Sequence, residues 1–355
     1  MIQRLFHDWE HRLASVSKDR IERPFDWGLD WLPEDAAAGA SPHDRVARWV
    51  RGVMADTQAF FTPAGMPSFS LDDSPANNQT PGQAGTLRFE SALQTPHEAN
   101  NTVVARWFPS KAARASSKAR GQRGPAVIVM PQWNAGAGGH IGLAQLLARS
   151  GISALRLSLP YHDARMPPEL TRADYIVSAN VVRTLQVCRQ AVLDARRAID
   201  WLESEGFDRI GMLGTSLGSC LSMLTTVHEP RVRAAALNHV SPWFADVVWR
   251  GLSTRHVRAG LEGHITLDEL RELWQPISPY AYLGRAWPAH SLLVYARYDL
   301  TFPVDLSRIL VKAYADHGIA HDIAALPCGH YSSGMAPFKF LDAYLLIRYL
   351  RRKLL

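Results

Sequence analysis

Arg209-Ile210-Gly211-Met212-Leu213-Gly214-Thr215-Ser216-Leu217-Gly218-Ser219-Cys220 is the stretch whose reading decides the fold. Its first half is a short apolar run of the kind buried on both faces of a sheet, and residues 221–226 continue it as an apolar helix. Between the two stands Gly-x-Ser-x-Gly, with Ser216 flanked at one remove by Gly214 and Gly218. A serine on so sharp a strand-to-helix turn exposes its hydroxyl. The glycines let neighbouring backbone approach, and the helix N-terminus favours negative charge at the oxygen. The same letters also suit a serine that only caps a helix in a glycine-rich turn. What separates the two readings is whether the rest of the chain supplies a base, an acid and an oxyanion site.

Of the 14 histidines, His330 alone occupies a strand-end loop with glycine beside it, in Leu326-Pro327-Cys328-Gly329-His330-Tyr331, ahead of the last helix. An imidazole working as a base needs a carboxylate to fix its tautomer. Asp299 comes directly after the penultimate strand (292–296), and Pro303 opens the following helix. Asp305 falls inside that helix and Asp322 begins a strand at the opposite end of the sheet, so both are second choices. Two backbone N–H groups must meet the developing oxyanion. Leu217, next to the serine, is expected to give one. The loop 131–139 is expected to give the other, from Trp133 or the adjacent Asn134. That glycine-rich loop is not a dinucleotide fingerprint, because Ile141 stands where the third small residue belongs and no acid follows at the required distance. Walker A, His-Glu-x-x-His and EF-hand patterns are absent as well, so neither cofactor nor metal is expected.

From Thr86 onward strand and helix patterns alternate, with strands at 86–93, 102–108, 126–130, 152–159, 209–213, 232–238, 291–296 and 323–326. This rhythm predicts a mostly parallel sheet with helices on both faces. Two segments break it, 160–185 and 241–288, at the sheet end where open α/β folds bind ligands. The first carries Tyr161, His162, Arg165 and Tyr175, and Arg165 suits either a structural ion pair or a substrate carboxylate. The second carries Trp243, Phe244, Trp249 and a helix start at Thr266 with Glu269 behind it, and reads as a small helical lid. Its aromatics fit a lid core or a pocket wall.

Residues 1–65 have another texture. Ile2, Leu5, Phe6, Trp9 and Leu13 recur at helical spacing, and Ser41-Pro42 with Asp44 opens a second helix. The expected organisation is an N-terminal helical extension (1–65) and a catalytic domain (66–355), with the extension packing on that domain or covering its pocket.

A chain of 355 residues with 47% apolar and 20% charged residues can bury a sizeable core unaided, which excludes disorder and coiled coil as global descriptions. The net charge of +6 is partly concentrated in 111–123, five basic residues among Ala, Ser and Gly, which reads as a surface loop rather than a nucleic-acid face. Three cysteines without paired spacing point to a reducing compartment, and the polar N-terminus lacks a leader's apolar core. With no apolar run of membrane-spanning length, a cytoplasmic protein without stable membrane insertion is expected. Nothing in the sequence sets an oligomeric state.

From about Thr86 to its C-terminus the chain resembles the α/β-hydrolase superfamily on its serine-hydrolase branch. The segments that carry the likeness are Gly214 to Gly218, Asp299-Leu300-Thr301-Phe302-Pro303 and Gly329-His330, in the order Ser, Asp, His. A fainter similarity to dienelactone-hydrolase-like and uncharacterised abhydrolase-domain proteins rests on residues 202–207 and 160–167. Many members have His-Gly at the oxyanion loop, where this chain has Pro131-Gln132. The resemblance implies an α/β-hydrolase fold and a cofactor-independent serine esterase. Ser216, Asp299 and His330 would form its triad, and its substrate would be a small-molecule ester. Acyl transfer, thioester cleavage and peptide cleavage suit the same triad, whereas a non-catalytic binding protein on this fold would be expected to have lost part of it.

Overall fold

In the computed structural model, which describes residues 1–33, 41–74, 80–116, 123–285, 287 and 289–355, nine strands pair into one sheet. The first three, β1 (Ser70–Asp72), β2 (Gly85–Glu90) and β3 (Thr102–Phe108), are antiparallel, with Leu87 opposite Ala105 and Phe89 opposite Val103. The parallel part comprises β4 (Pro125–Met130), β5 (Ser153–Leu157), β6 (Arg209–Thr215), β7 (Val232–Asn238), β8 (His290–Ala296) and β9 (His321–Leu326). Their spatial order is β1-β2-β3-β5-β4-β6-β7-β8-β9. The chain therefore leaves β4 toward one edge and β6 toward the other. The loops after these two adjacent strands part there and open a crevice.

Helices α1 (Ile2–Ala14), α2 (Pro42–Ala55) and α3 (Thr57–Phe60) precede the sheet, and α4 (Lys111–Ala115) lies between β3 and β4. The crossovers use α5 (Ile141–Arg149), α6 (Val181–Ser204) and α7 (Leu217–His228). After β7 come α8 (Phe244–Arg250), α9 (Arg255–Leu261) and α10 (Leu267–Leu273); α11 (Val304–Asp316) and α12 (Phe338–Leu354) complete the chain. Along β4 the side chains alternate between two cores: Ala126, Ile128 and Met130 join the one containing α6 and α7, and Val127 and Val129 the one containing α5 and α12. Both faces are apolar, so the strand reads as an unbroken run, and each buried Val or Ile stabilises the fold by about 1.5–3 kcal/mol.

The structure departs from expectation in three places. Helix α6 begins at Val181, capped by the Asn180 side chain on the Arg183 N–H (2.9 Å), so the end of the 160–185 segment is regular helix. It is buried on all sides from Val181 to Leu193 save for Arg183 and Arg189, and a helix without a wet face lacks the periodic signal that marks one. The basic stretch starts as α4 rather than a loop, with the Ser110 hydroxyl capping Ala113 N–H (3.2 Å) and Arg123 paired with Glu205 (3.0 Å); residues 117–122 lie outside those described. In α1 the apolar stripe is only partly used: Ile2 and Leu5 are exposed, and the carboxylate residue Glu10 is fully buried.

Arg165 resolves into a structural role. It is fully buried 2.9 Å from Asp194, and its remaining N–H groups donate to Asn100 O (2.8 and 3.1 Å) and Ser158 O (3.0 Å). Asp194→Asn would leave this guanidinium without a counter-charge away from water, and a loss of about 3–5 kcal/mol in urea unfolding is expected. The double variant Arg165→Met/Asp194→Leu should recover much of that loss. A single-variant loss within about 0.5 kcal/mol would show that the pair carries no such role.

Candidate active site

Ser216 sits at the β6–α7 turn with φ 56° and ψ −119°, a conformation that costs a non-glycine residue on the order of 1–3 kcal/mol. Close contacts fix it. Its N–H donates to Asn238 O (2.8 Å), and its carbonyl accepts from Ser219 N–H (2.8 Å). A Cβ on Gly218 would lie 2.1 Å from Met130 O and 2.5 Å from Pro131 O, and one on Gly214 would lie 2.2 Å from Gly218 O. The glycines are therefore demanded by backbone packed against backbone, across the crevice between β4 and β6.

The structure brings the three side chains expected from the sequence together. His330 Nε2 is 3.1 Å from Ser216 Oγ, and His330 Nδ1 is 3.0 Å from Asp299 Oδ2. The other carboxylate oxygen of Asp299 accepts from Thr301 N–H (2.8 Å) and Phe302 N–H (2.7 Å), and the Phe302 ring stacks on His330. The two second-choice acids lie elsewhere: Asp305 pairs with Arg250 and Asp322 with Arg352.

A fourth residue was not foreseen. His239, just past β7 with φ 58°, has Nδ1 2.8 Å from the same Asp299 Oδ2, and its Nε2 is 3.1 Å from Ser333 Oγ. The Ser333 hydroxyl also donates to His330 O (2.6 Å). One carboxylate oxygen thus receives an N–H from each of two imidazoles whose rings are 4.2 Å apart. Burial alone would raise the Asp299 pKa, but His330 and the bonds from both histidines outweigh it and hold the carboxyl well below the usual range. Three such groups could hold a metal by spacing alone. In this structure the same nitrogens are the hydrogen-bond partners of the Asp299 carboxylate. The only sequence signal for His239 is its place at the C-terminal end of an apolar strand beside β6.

Of the backbone donors expected at the oxyanion loop, that of Asn134 is already engaged. Its N–H donates to His162 Nε2 (2.9 Å), while the His162 Nδ1 proton goes to Pro160 O (2.8 Å). Burial holds the His162 pKa down to about 4, so that ring stays a neutral acceptor. The N–H groups of Trp133 and Leu217 form no hydrogen bond among the described residues. The loop is pinned from below by buried Arg156, which donates to Gly136 O and Gly139 O (both 3.0 Å), and by the Trp133 indole on Ala173 O (2.8 Å).

Ser216 opens onto a cavity of about 690 Å³. Phe244, Val247 and Val248 of α8 give it an apolar wall, whereas Trp243 packs on Tyr280 and Trp249 lies under Arg258, as part of the lid's own packing. Cys220 lines the cavity too, but burial pushes its thiol up to about 12; it and the other two cysteines are buried and unbridged.

The N-terminal segment reaches the site as well. The Glu10 carboxylate accepts from Tyr331 N–H (2.8 Å), Ser332 N–H (2.9 Å) and Ser332 Oγ (2.7 Å), which ties α1 to the loop that carries His330. The apolar spacing of α1 was legible in the sequence; this buried acid was not.

No helix among the described residues is long and apolar enough to cross a membrane. Residues 92–255 match the family model described as alpha/beta hydrolase domain containing 18. No curated protein matches the chain in sequence. Among solved structures, acetyl xylan esterase 1 from Thermoanaerobacterium sp. JW/SL YS485 is similar at 16% identity and a TM-score of 0.61, over 96% of this chain and 98% of that one. The acetyl xylan esterase from Paenibacillus sp. R4 is similar at 13% identity and a TM-score of 0.63, over 92% and 98%. Pyrococcus horikoshii acylaminoacyl peptidase is similar at 16% identity and a TM-score of 0.58, with 81% of this chain covering 42% of the peptidase. Sheet order, serine turn and the similar solved structures agree on an α/β-hydrolase fold, and residues 92–255 resemble the matched family model.

Proposed function

We propose that the chain is a serine hydrolase that cleaves carboxylic esters of small molecules through an acyl-enzyme. The observation that carries this reading is the unbroken line of hydrogen bonds from Ser216 through His330 to Asp299 at the base of the cavity. Ser216 Oγ attacks the ester carbonyl carbon as its proton passes to His330 Nε2, and Asp299 steadies the imidazolium. The N–H groups of Leu217 and Trp133 receive the oxyanion, each such donor contributing about 3–4 kcal/mol. Collapse of the intermediate breaks the bond to the alcohol oxygen, which takes the proton from His330. Water then gives a proton to His330 and attacks the acyl carbon. Ser216 Oγ leaves and recovers that proton. The apolar wall of α8 suits the acyl group. An ester is favoured over a peptide because the two acetyl xylan esterases match this chain nearly end to end, whereas it spans 42% of the acylaminoacyl peptidase.

His239 acts through Asp299, as a positioning residue that shares the oxygen on which His330 turns. Behind it lies Asp342, held by Asn238 Nδ2 (2.7 Å). Burial pushes the Asp342 carboxyl up to about 6, against the opposing pull of His239 and Asn238. Between about pH 4 and pH 6 the folded chain therefore binds more protons than the unfolded one, and Asp342 lowers stability as the pH rises through that window.

Three outcomes follow from these assignments. Ser216→Ala should lower kcat/KM on 4-nitrophenyl esters by about 10⁴-fold or more and abolish fluorophosphonate labelling; full activity in that variant would refute the reading. His239→Leu should lower kcat by about 10- to 100-fold with little change in KM, because His330 loses a fixed partner but the cavity keeps its shape. Asp342→Asn should flatten the decline in stability between about pH 4 and pH 6 and raise Tm at pH 8 by roughly 2–4 °C, checked by thermal unfolding across pH.

A further inference from the structure

The N-terminal segment also brings charge into the cavity. Arg20 lines it and donates from Nη2 to the Tyr331 hydroxyl (2.9 Å), a neutral acceptor one residue from His330. Its Nε is enclosed without a hydrogen-bond partner, and among the described residues no carboxylate lies within ion-pair distance of it. The nearby acids are already committed. Asp19 pairs with Arg172 (2.9 Å), and Asp174 pairs with Arg23 (3.1 Å) and more loosely with Arg172 (3.6 Å). Glu10 is taken by its three donors on the His330 loop. Of the three neighbouring guanidinium groups, Arg23 and Arg172 are thus paired with Asp174 and Asp19, and Arg20 has no ion pair among the described residues.

The effect of these charges reaches a neighbour. His256 stacks on Trp133 (5.7 Å, 4°), and neither of its ring nitrogens has a hydrogen-bond partner. Its pKa is held down to about 4, first by burial and then by Arg172 and Arg20, with Asp19 opposing. Arg172 also lines the cavity and lies over the Trp133 ring at 5.4 Å. A half-buried guanidinium with an unspent, covered Nε donor and no ion-pair partner favours an arriving counter-charge, and its planar fork matches the oxygens of a carboxylate or a phosphate.

We propose that Arg20, with Arg172 beside it, forms an anion subsite in this cavity that selects ester substrates bearing a carboxylate or phosphate group. The choice of substrate rests on the hydrolase reading above; the binding of the anion does not. The test therefore has two arms. In the first, glutarate and glycerol phosphate are titrated by calorimetry into the full-length Ser216→Ala protein and into the same protein carrying Arg20→Gln or Arg20→Lys. At least one of the two anions is expected to bind, at least tenfold more weakly with Arg20→Gln and by an intermediate amount with Arg20→Lys, and whichever binds identifies the oxyanion. Failure of both anions to bind, or equal binding in all three proteins, overturns the proposal. Arg20→Gln retains a donor for Tyr331, and Arg20→Lys retains the charge, so a folding defect in one leaves the other to decide.

In the second arm, the ratio of kcat/KM for mono-4-nitrophenyl glutarate to that for 4-nitrophenyl butyrate is measured in the otherwise unaltered chain. That ratio should fall at least tenfold in Arg20→Gln if the anion bound is a carboxylate; an unchanged ratio then overturns the proposal as it concerns substrate choice. If neither ester is turned over and Ser216 resists a fluorophosphonate, the hydrolase reading fails, while calorimetry still decides the subsite.

Discussion

The approach of Gly218 to the carbonyls of Met130 and Pro131 is the constraint on which the site depends. It brings the serine turn after β6 against the loop after β4 with no side chain between them. Because the chain departs from these neighbouring strands in opposite directions, this is also where the sheet leaves a crevice open. The strained backbone of Ser216, the free N–H groups of Leu217 and Trp133 and the cavity above them are all consequences of this one contact. Buried Arg156 serves the same end from beneath, since its bonds to Gly136 and Gly139 keep the opposing loop at that distance.

What the sequence made legible was whatever depends on local pattern. Apolar runs marked the parallel strands to within a few residues. The glycines around Ser216 announced a turn, and positions at strand ends singled out Asp299 and His330. What stayed hidden depends on residues distant in sequence. His239 is one polar residue after an apolar strand, and only the neighbouring β8 gives it Asp299 as a partner. Glu10 sits in a helix whose apolar spacing points to a different face. The start of α6 was missed because a helix buried all round has no periodicity to read. The availability of Asn134 as an oxyanion donor likewise turned on His162, whose ring arrives from the far side of the cavity loop.

The charges of the site form two groups with opposite balances. Around the acid, Asp299 bonds both His239 and His330, and Asp342, bonded to Asn238, is near enough to feel the charge of His239. Around Arg20 and its neighbours the guanidinium groups outnumber the carboxylates they pair with.

The bond from Glu10 to the His330 loop joins residues 322 positions apart. During synthesis, Ser216 and then Asp299 emerge and can fold into the sheet while the loop that completes them is still missing. Helix α1 meanwhile waits with a carboxylate that has none of its three donors. The loop that satisfies Glu10 is also the one that holds the imidazole beside the serine. The loop that carries His330 therefore joins two distant parts of the chain at once, α1 through Glu10 and the β6–α7 turn through Ser216.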